Sequence, residues 1–313
     1  MAETTSSTLA ALDVGSNTVL MLVAELSAGT VRPLADFMKI TRLGRGVDRT
    51  GMLDPGAMAL TLDAIVEFVE KARALGARKI LTAGTAAMRD AHNGSEFIDQ
   101  VRRRAGVDLQ IISGETEAQL NYLAAIRGLK IDPAQAMLIV DIGGGSTELI
   151  RCEAGAQPAM VSLQIGSVRL TERLVGHDPP AKEERAEIYD TVGKHLAALG
   201  WDKFRPASLV GVAGTVTTIA AVAKGLGTQD HSTLHGLRLP IQQVADTAVR
   251  LFKLTVEERR QLPSMIQGRA DVICAGAAIL DCIARFFRAE NVIVSDQGVR
   301  WGLVYRELDE QSR

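Results

Sequence analysis

The chain has 313 residues, 47% of them apolar and 23% charged, with a formal net charge of −2. That length suits two domains of ordinary size. No apolar run approaches the roughly 18–20 residues of a membrane span, and a net charge of −2 gives no global basic field to draw in a polyanion.

The opening "MAETTSST" is polar without a basic leader and reads as a frayed start. From residue 9, "LAALDV" reads as a buried strand and "TVLMLVAEL" as a second, with a turn at Gly15-Ser16-Asn17. "VRPLADFMKIT" is a third strand. It runs into "KITRLGRGVDR", where Lys39, Arg42, Arg45 and Arg49 alternate with Gly44 and Gly46, the composition of a mobile basic loop suited to phosphate ligands. A helix follows, capped by Asp54 with Pro55 at its first position. Met58, Leu62, Ile65, Val66 and Val69 form its apolar face and Gly76 stops it. "KILTAG" (79–84) is a short strand, and 93–105 is a helix whose "RRR" at 102–104 reads as a solvated face. "VDLQIIS" is a strand, and "SGETEAQLNYLAAIRGL" is a helix that Ser113 can cap.

The second half restarts with the same grammar. "AMLIVDI" is a strand, the glycines that follow are a turn, and "TELIRCE" and "PAMVSLQIG" are strands. Helices span 167–174 and 180–199, "ASLVGVAG" (207–214) is a strand feeding a helix, and the final third is helical with one late strand, "NVIVSD". The cysteines, Cys152, Cys274 and Cys282, form no CxxC pair. The last two share a helix about 12 Å apart, too far to bridge. Three unpaired thiols suit a reducing cytoplasm. The strand–Asp–glycine turn–strand unit occurs at Asp13 and again at Asp141, which points to two similar α/β domains with a cleft between them. The expected bounds are 1–128 and 129–313, with a helix at about 300–313 packing back on the first domain.

The chemistry of the repeated unit follows from its residues. A glycine-rich turn lets backbone N–H groups converge into an anion-binding nest. The aspartates at the strand ends, Asp13 and Asp141, can hold a hydrated divalent cation against phosphates, although Asp13 can equally cap its turn. "VAGTVTTIA" sets Gly214, Thr215 and Thr217 at a helix N-terminus, either a third anion loop or a tight turn with threonine caps. Glu115 and Glu117 lie about 200° apart on their helix. Glu117 falls in line with Leu120 and Ala124, so it is either a base lining a cleft or a first-turn acid on the helix dipole. Arg89 can hold phosphate oxygens bidentately or pair at the surface with Asp90 or Glu96. His231 and His235 have metal-like spacing, but Ser232 stands where a metalloprotease carries Glu, and the segment reads as structural.

Seven blocks together closely resemble the exopolyphosphatase and guanosine pentaphosphate phosphatase family, a branch of the actin-like superfamily. They are "ALDVGSNT" (11–18), "GTAAMRDAHNGSEF" (84–97), "ISGETEA" (112–118), "VDIGGGSTEL" (140–149), "GVAGTVTT" (211–218), "GRADVICAGAAIL" (268–280) and "SDQGVRWGL" (295–303). The resemblance implies two actin-like, ribonuclease H-like domains. It implies Glu117 as catalytic base, Asp141 and Glu148 as magnesium-site acids with Asp13 nearby, and manganese as a substitute ion. Arg89, Asn17, Gly143, Gly144, Gly145, Ser146, Gly214 and Thr215 match phosphate-binding groups, and Arg269 matches a basic residue near the substrate. The implied function is hydrolysis of the terminal phosphoanhydride of inorganic polyphosphate by a cytoplasmic homodimer that binds neither nucleic acid nor membrane. The alternatives are conversion of guanosine pentaphosphate to tetraphosphate, a non-catalytic sensor of alarmone or polyphosphate, and, at superfamily level, an ATPase or sugar kinase. Two positions depart from the pattern: Thr116 and Trp301 stand where acids are common. The chain also ends without the C-terminal helical domain of longer members, which implies shorter polymers or a nucleotide.

Overall fold

The computed structural model describes residues 7–27, 29–132, 134–227 and 233–311. Of the polar opening, Ser7 and Thr8 already belong to the first strand and residues 1–6 lie outside the described range. Two units make up the chain: one is formed by the chain up to Ala124 together with that from Gly298 onward, the other by Ala125–Gln297.

In the first unit β1 (Ser7–Val14), β2 (Thr18–Ser27) and β3 (Thr30–Ile40) run antiparallel. The fourth strand, β4 (Lys79–Gly84), lies parallel beside β1, giving the order β3-β2-β1-β4. Alternation along β1 sends Ala10, Leu12 and Val14 to one face and Leu9 and Ala11 to the other. After the one-turn α1 (Val47–Thr50) comes α2 (Pro55–Ala74), then α3 (Ala86–Asp90), α4 (Gly94–Ala105) and α5 (Gly114–Leu129). Met58, Leu62, Ile65 and Val69 of α2, with Phe97 and Val101 of α4, fill the first face of the sheet. The Asp54 carboxylate accepts the Ala57 N–H at 2.9 Å, capping α2 as expected. Asp54→Ala is expected to destabilise the protein by about 1 kcal/mol, measurable as a lower urea midpoint.

Three local expectations change. The 39–49 stretch is not a free loop: it ends β3, turns and forms α1, and Lys39 pairs with Glu67 at 3.1 Å. The 107–113 segment is not a strand, because it meets β4 only at the Gly84–Ile111 bridge. A short helix, α3, fills the gap that the sequence reading leaves after β4.

The second unit repeats the plan. β5 (Met137–Ile142), β6 (Thr147–Cys152) and β7 (Ala159–Leu163) are antiparallel, and α6 (Ser167–Leu174) and α7 (Lys182–Ala197) follow. β8 (Ser208–Val212) runs parallel beside β5 and leads into α8 (Ala213–Lys224). Next come β9 (Arg238–Pro240), α9 (Ile241–Lys253), α10 (Val256–Arg260), α11 (Ile273–Phe286) and β10 (Asn291–Val294). The sheet order is β7-β6-β5-β8-β10-β9. A second late strand, β9, thus joins the expected one; three residues ending in proline leave no periodicity to read. Both sheets place a parallel fourth strand beside the first, the ribonuclease H-like order of actin-like domains. The helix α11 is buried on nearly every side, and it carries Cys274 and Cys282, whose thiols burial pushes up to about 11 and about 12. All three cysteines are free.

The final helix, α12 (Val299–Gln311), returns to the first unit. Its Leu303, Val304 and Leu308 cover Leu9, Ala11, Leu22 and Ala24 together with Leu120 of α5. Arg300 grips Asp36 through Nε (3.0 Å) and Nη2 (2.7 Å), and Glu307 pairs with Lys79 at 2.6 Å. No helix among the described residues is long and apolar enough to cross a membrane.

Candidate active site

In the first unit the β1–β2 turn is closed by Gly15 N–H donating to Thr18 O at 3.0 Å. Asp13 stands half-buried on β1, opposite Leu20 of β2 and Ala83 of β4. Asn17 is buried, and its carbonyl accepts N–H groups from Thr41 and Arg42, each at 3.1 Å. Gly44 N–H adds a bond to Ser16 O at 2.7 Å. A side chain at Gly44 would crowd Ser16 and Ala87, so this glycine lets the basic stretch press against the turn. The expected mobility of that stretch is replaced by backbone stapling.

Glu117 sits in the first turn of α5. Ser113 caps that turn, its hydroxyl accepting Thr116 N–H at 3.1 Å. Glu115 is exposed, whereas Glu117 is only 7% exposed, in line with buried Leu120 and Ala124. Arg89, in the last turn of α3, donates from Nη1 to Glu117 Oε2 at 2.8 Å and to Ile112 O at 3.0 Å. The partner of Arg89 is therefore Glu117, not Asp90 or Glu96. Burial raises the Glu117 pKa, and the guanidinium opposes that rise. Arg89 Nη2 is buried and has no hydrogen-bond partner among the described residues.

In the second unit Asp141 and Glu148 are directly opposite across the β5–β6 pair, with carboxylate oxygens within 4.8 Å of each other. Both are buried. Ser162 continues the row on β7 and donates to Glu148 Oε1 at 2.7 Å. Like charges set opposite each other repel, and an oxygen-only donor pair of this kind suits a hard divalent cation.

The glycine turn that joins these strands has its carbonyls tied off by α6. Gly143 O accepts Ser167 N–H at 3.0 Å, Gly144 O accepts Val168 and Arg169 N–H at 2.9 and 3.0 Å, and Gly145 O accepts Arg169 Nε at 2.7 Å. The N–H groups of Gly144, Gly145 and Ser146 have no acceptor among the described residues. Donors are thus left over where acceptors are consumed, which is the electrostatic definition of an anion nest.

The third loop abuts this turn within the same unit. Thr215 Oγ1 donates to Ile142 O at 2.8 Å, and Thr218 Oγ1 to Gly214 O at 2.6 Å. An added methyl at Gly214 would collide with the Arg269 guanidinium, so Gly214, Thr215 and Arg269 form one cluster. Burial lowers the Arg269 pKa to about 10. Ala213, just before, has φ 68°, a left-handed conformation that costs an alanine roughly 1–2 kcal/mol.

The sequence reading missed Gly166, Ser167, Arg169 and Ser162. "QIGSVRL" signals only a helix start; that its backbone and arginine hold three carbonyls from residues 143–145 is a long-range fact. His235 pairs with Asp296 at 2.8 Å and with Gly128 O at 3.2 Å, in keeping with a structural role, and His231 lies outside the described residues. Trp301 packs against Tyr305 with ring centroids 5.8 Å apart.

Comparison with known proteins identifies the family. The model of the Ppx/GppA phosphatase family matches residues 22–311. Exopolyphosphatase 2 of Mycobacterium tuberculosis is 34% identical over 312 residues, covering 94% of this chain and 97% of that one. The crystal structure of an exopolyphosphatase-like protein superposes with a TM-score of 0.92 at 29% identity, covering 98% of this chain and 99% of the other. The Aquifex aeolicus Ppx/GppA family member does so at 0.82 and 29%, covering 99% and 100%. With a family match spanning nearly the whole chain, and the glycine turn and buried Glu117 standing on the elements described above, this protein belongs to the Ppx/GppA phosphatase family.

Proposed function

We propose that the chain is an exopolyphosphatase that releases the terminal phosphate of inorganic polyphosphate with the help of magnesium. The observation that carries the proposal is Glu117, a buried carboxylate with a raised pKa, held by one nitrogen of an arginine whose second nitrogen has no hydrogen-bond partner among the described residues. The names of the relatives favour polyphosphate as the substrate.

Phosphoanhydride hydrolysis passes through a loose transition state, so the protein mainly positions groups and stabilises charge. The N–H groups of Gly144, Gly145 and Ser146 bind phosphoryl oxygens, and Arg89 Nη2 offers a further donor. Asn17, Gly143, Gly214, Thr215 and Arg269 serve phosphate binding in the same reading. Glu117 accepts a proton from the attacking water while the water oxygen bonds to the terminal phosphorus; the anhydride P–O bond breaks and the shortened chain leaves with the bridging oxygen. Asp141 and Glu148, with Asp13 assisting, would hold magnesium, which supplies neutralisation of phosphate charge. The proposal includes a homodimer and a cytoplasmic setting, the latter supported by three free cysteines.

The test is phosphate release from short and long polyphosphate, guanosine pentaphosphate and ATP, with magnesium and with a chelator. Polyphosphate turnover well above the nucleotides, abolished by the chelator and weakened in Asp141→Asn at limiting magnesium, is the expected result. Turnover of guanosine pentaphosphate alone would replace this reading with the alarmone phosphatase.

A further inference from the structure

The outer edge of β4 carries a cavity that the proposed chemistry does not use. On its inner side β4 pairs with β1, Ile80 opposite Ala10 and Thr82 opposite Leu12. On its outer side the chain joins it only at the end, through Gly84 N–H to Gln110 O (2.7 Å) and Ile112 N–H to Gly84 O (3.0 Å). One rung earlier the Thr82 hydroxyl takes the place of the ladder. It donates to Asp108 O at 2.6 Å and accepts Gln110 N–H at 3.1 Å. Beyond that rung the two segments part. A cavity of about 360 Å³ opens there, walled by β4, the 106–110 chain, the end of α2 and α12.

Its lining is cationic: Arg73, Arg78, Lys79 and Arg306 face one carboxylate, Asp108. Asp108 is already paired with Arg102 at 2.6 Å, and Lys79 with Glu307 at 2.6 Å. Among the described residues Arg73 reaches only a backbone carbonyl, Gly106 O, at 3.4 Å. Arg78 and Arg306 have no hydrogen-bonded acidic partner among the described residues. Arg73, Arg78 and Arg306 are exposed around this cavity, with Asp108 the one lining carboxylate and Glu307 beside Arg306, so positive charge outweighs negative there in a chain of net charge −2. The volume falls within the range of small-ligand pockets, roughly 300–1,000 Å³, and far exceeds the roughly 30 Å³ of a water molecule. Guanidinium forks match phosphate oxygens bidentately, and the Thr82–Gln110 wall adds polar groups rather than an apolar bed.

We propose that this cavity is a second anion site, taking a compact chain of two or three phosphoryl groups. It is separate from the groups that release phosphate. Arg78, in its lining, precedes β4 and Arg89 follows it, at opposite ends of a six-residue strand that spans about 17–20 Å.

The test is calorimetric titration of tripolyphosphate, without divalent metal, into full-length Glu117→Gln protein and into the same protein carrying Arg78→Ala and Arg306→Ala. The two arginine changes are expected to remove one binding event or weaken it about tenfold or more. Arg78→Lys with Arg306→Lys should keep an intermediate affinity. In the wild-type background Arg78→Ala with Arg306→Ala should leave the melting temperature and phosphate release at saturating substrate unchanged, which separates loss of a site from loss of fold. ATP as a competing titrant shows whether the occupant is the tail of a nucleotide or a bare chain. Citrate bound as tightly as tripolyphosphate would overturn the phosphate assignment. Isotherms identical with and without the two arginines, in folded protein, would overturn the site itself.

Discussion

Glu117→Gln is expected to fold and to lose phosphate release by about 10²–10⁴-fold, the range for removing a positioned general base. The amide keeps the shape of the side chain and an oxygen acceptor for Arg89 Nη1, so the Arg89 contact to Ile112 O and the α3–α5 packing survive. Only the proton acceptor is gone. The pH profile supplies a second readout. Burial holds the Glu117 pKa above the ordinary carboxylate value of about 4.5, against the pull of Arg89. The base works when ionised, so kcat/KM should fall as pH drops through that raised value. Arg89→Gln removes the opposing attraction and should move this acid limb to still higher pH while lowering the rate. Wild-type turnover in Glu117→Gln would remove Glu117 from the chemistry. An unshifted acid limb in Arg89→Gln would show that the limb belongs to another group.

The second large effect is expected at a glycine that touches no substrate group. A methyl added at Gly166 would collide with the carbonyl group of Gly144 and the carbonyl carbon of Gly145, all backbone atoms that cannot swing aside. Relief requires moving either the turn or the start of α6, and the three tied carbonyls move with it. Gly166→Ala should therefore cost about 1–3 kcal/mol as an overpacking change and depress kcat/KM more than its stability loss explains. Gly193→Ala is the matched control. It lies inside α7, its added methyl meets nothing within 4 Å, and it is expected to stabilise by roughly 0.5–1 kcal/mol. Equal kcat/KM in the two variants would show that the α6 start does not position the glycine turn.

What the sequence made legible follows the range of the interactions involved. The role of the Asp141–Glu148 pair comes from the family resemblance, and the antiparallel register of two short strands joined by a tight turn is what sets the two acids opposite each other. Glu117 separates from Glu115 by helical period alone, since Leu120 and Ala124 mark the buried side. The partner of Arg89 could not be read, because Glu117 lies 28 residues away on another helix. The carbonyl ties from Arg169 and the need for glycine at 166 are equally remote from the motif they serve. The 107–113 segment has the composition of a strand, but the Thr82 hydroxyl satisfies Asp108 O and Gln110 N–H in place of a backbone rung. In the 39–49 stretch, glycines that suggest freedom instead permit close contact with the Ser16–Asn17 turn.

The return of α12 to the first unit bears on the order in which the molecule can be built during synthesis. The second unit is continuous, so all of its strands and helices exist as soon as residue 297 has been made. The first unit, although translated earlier, lacks until later the helix that covers Leu9, Ala11, Leu22 and Ala24. Domains ordinarily fold from the N-terminus as the chain emerges. Here the earlier-made sheet keeps one apolar face incomplete through the synthesis of the whole second unit. That face is the surface on which a holding chaperone would act, and slowing translation across residues 125–297 should lengthen its exposure rather than help it fold.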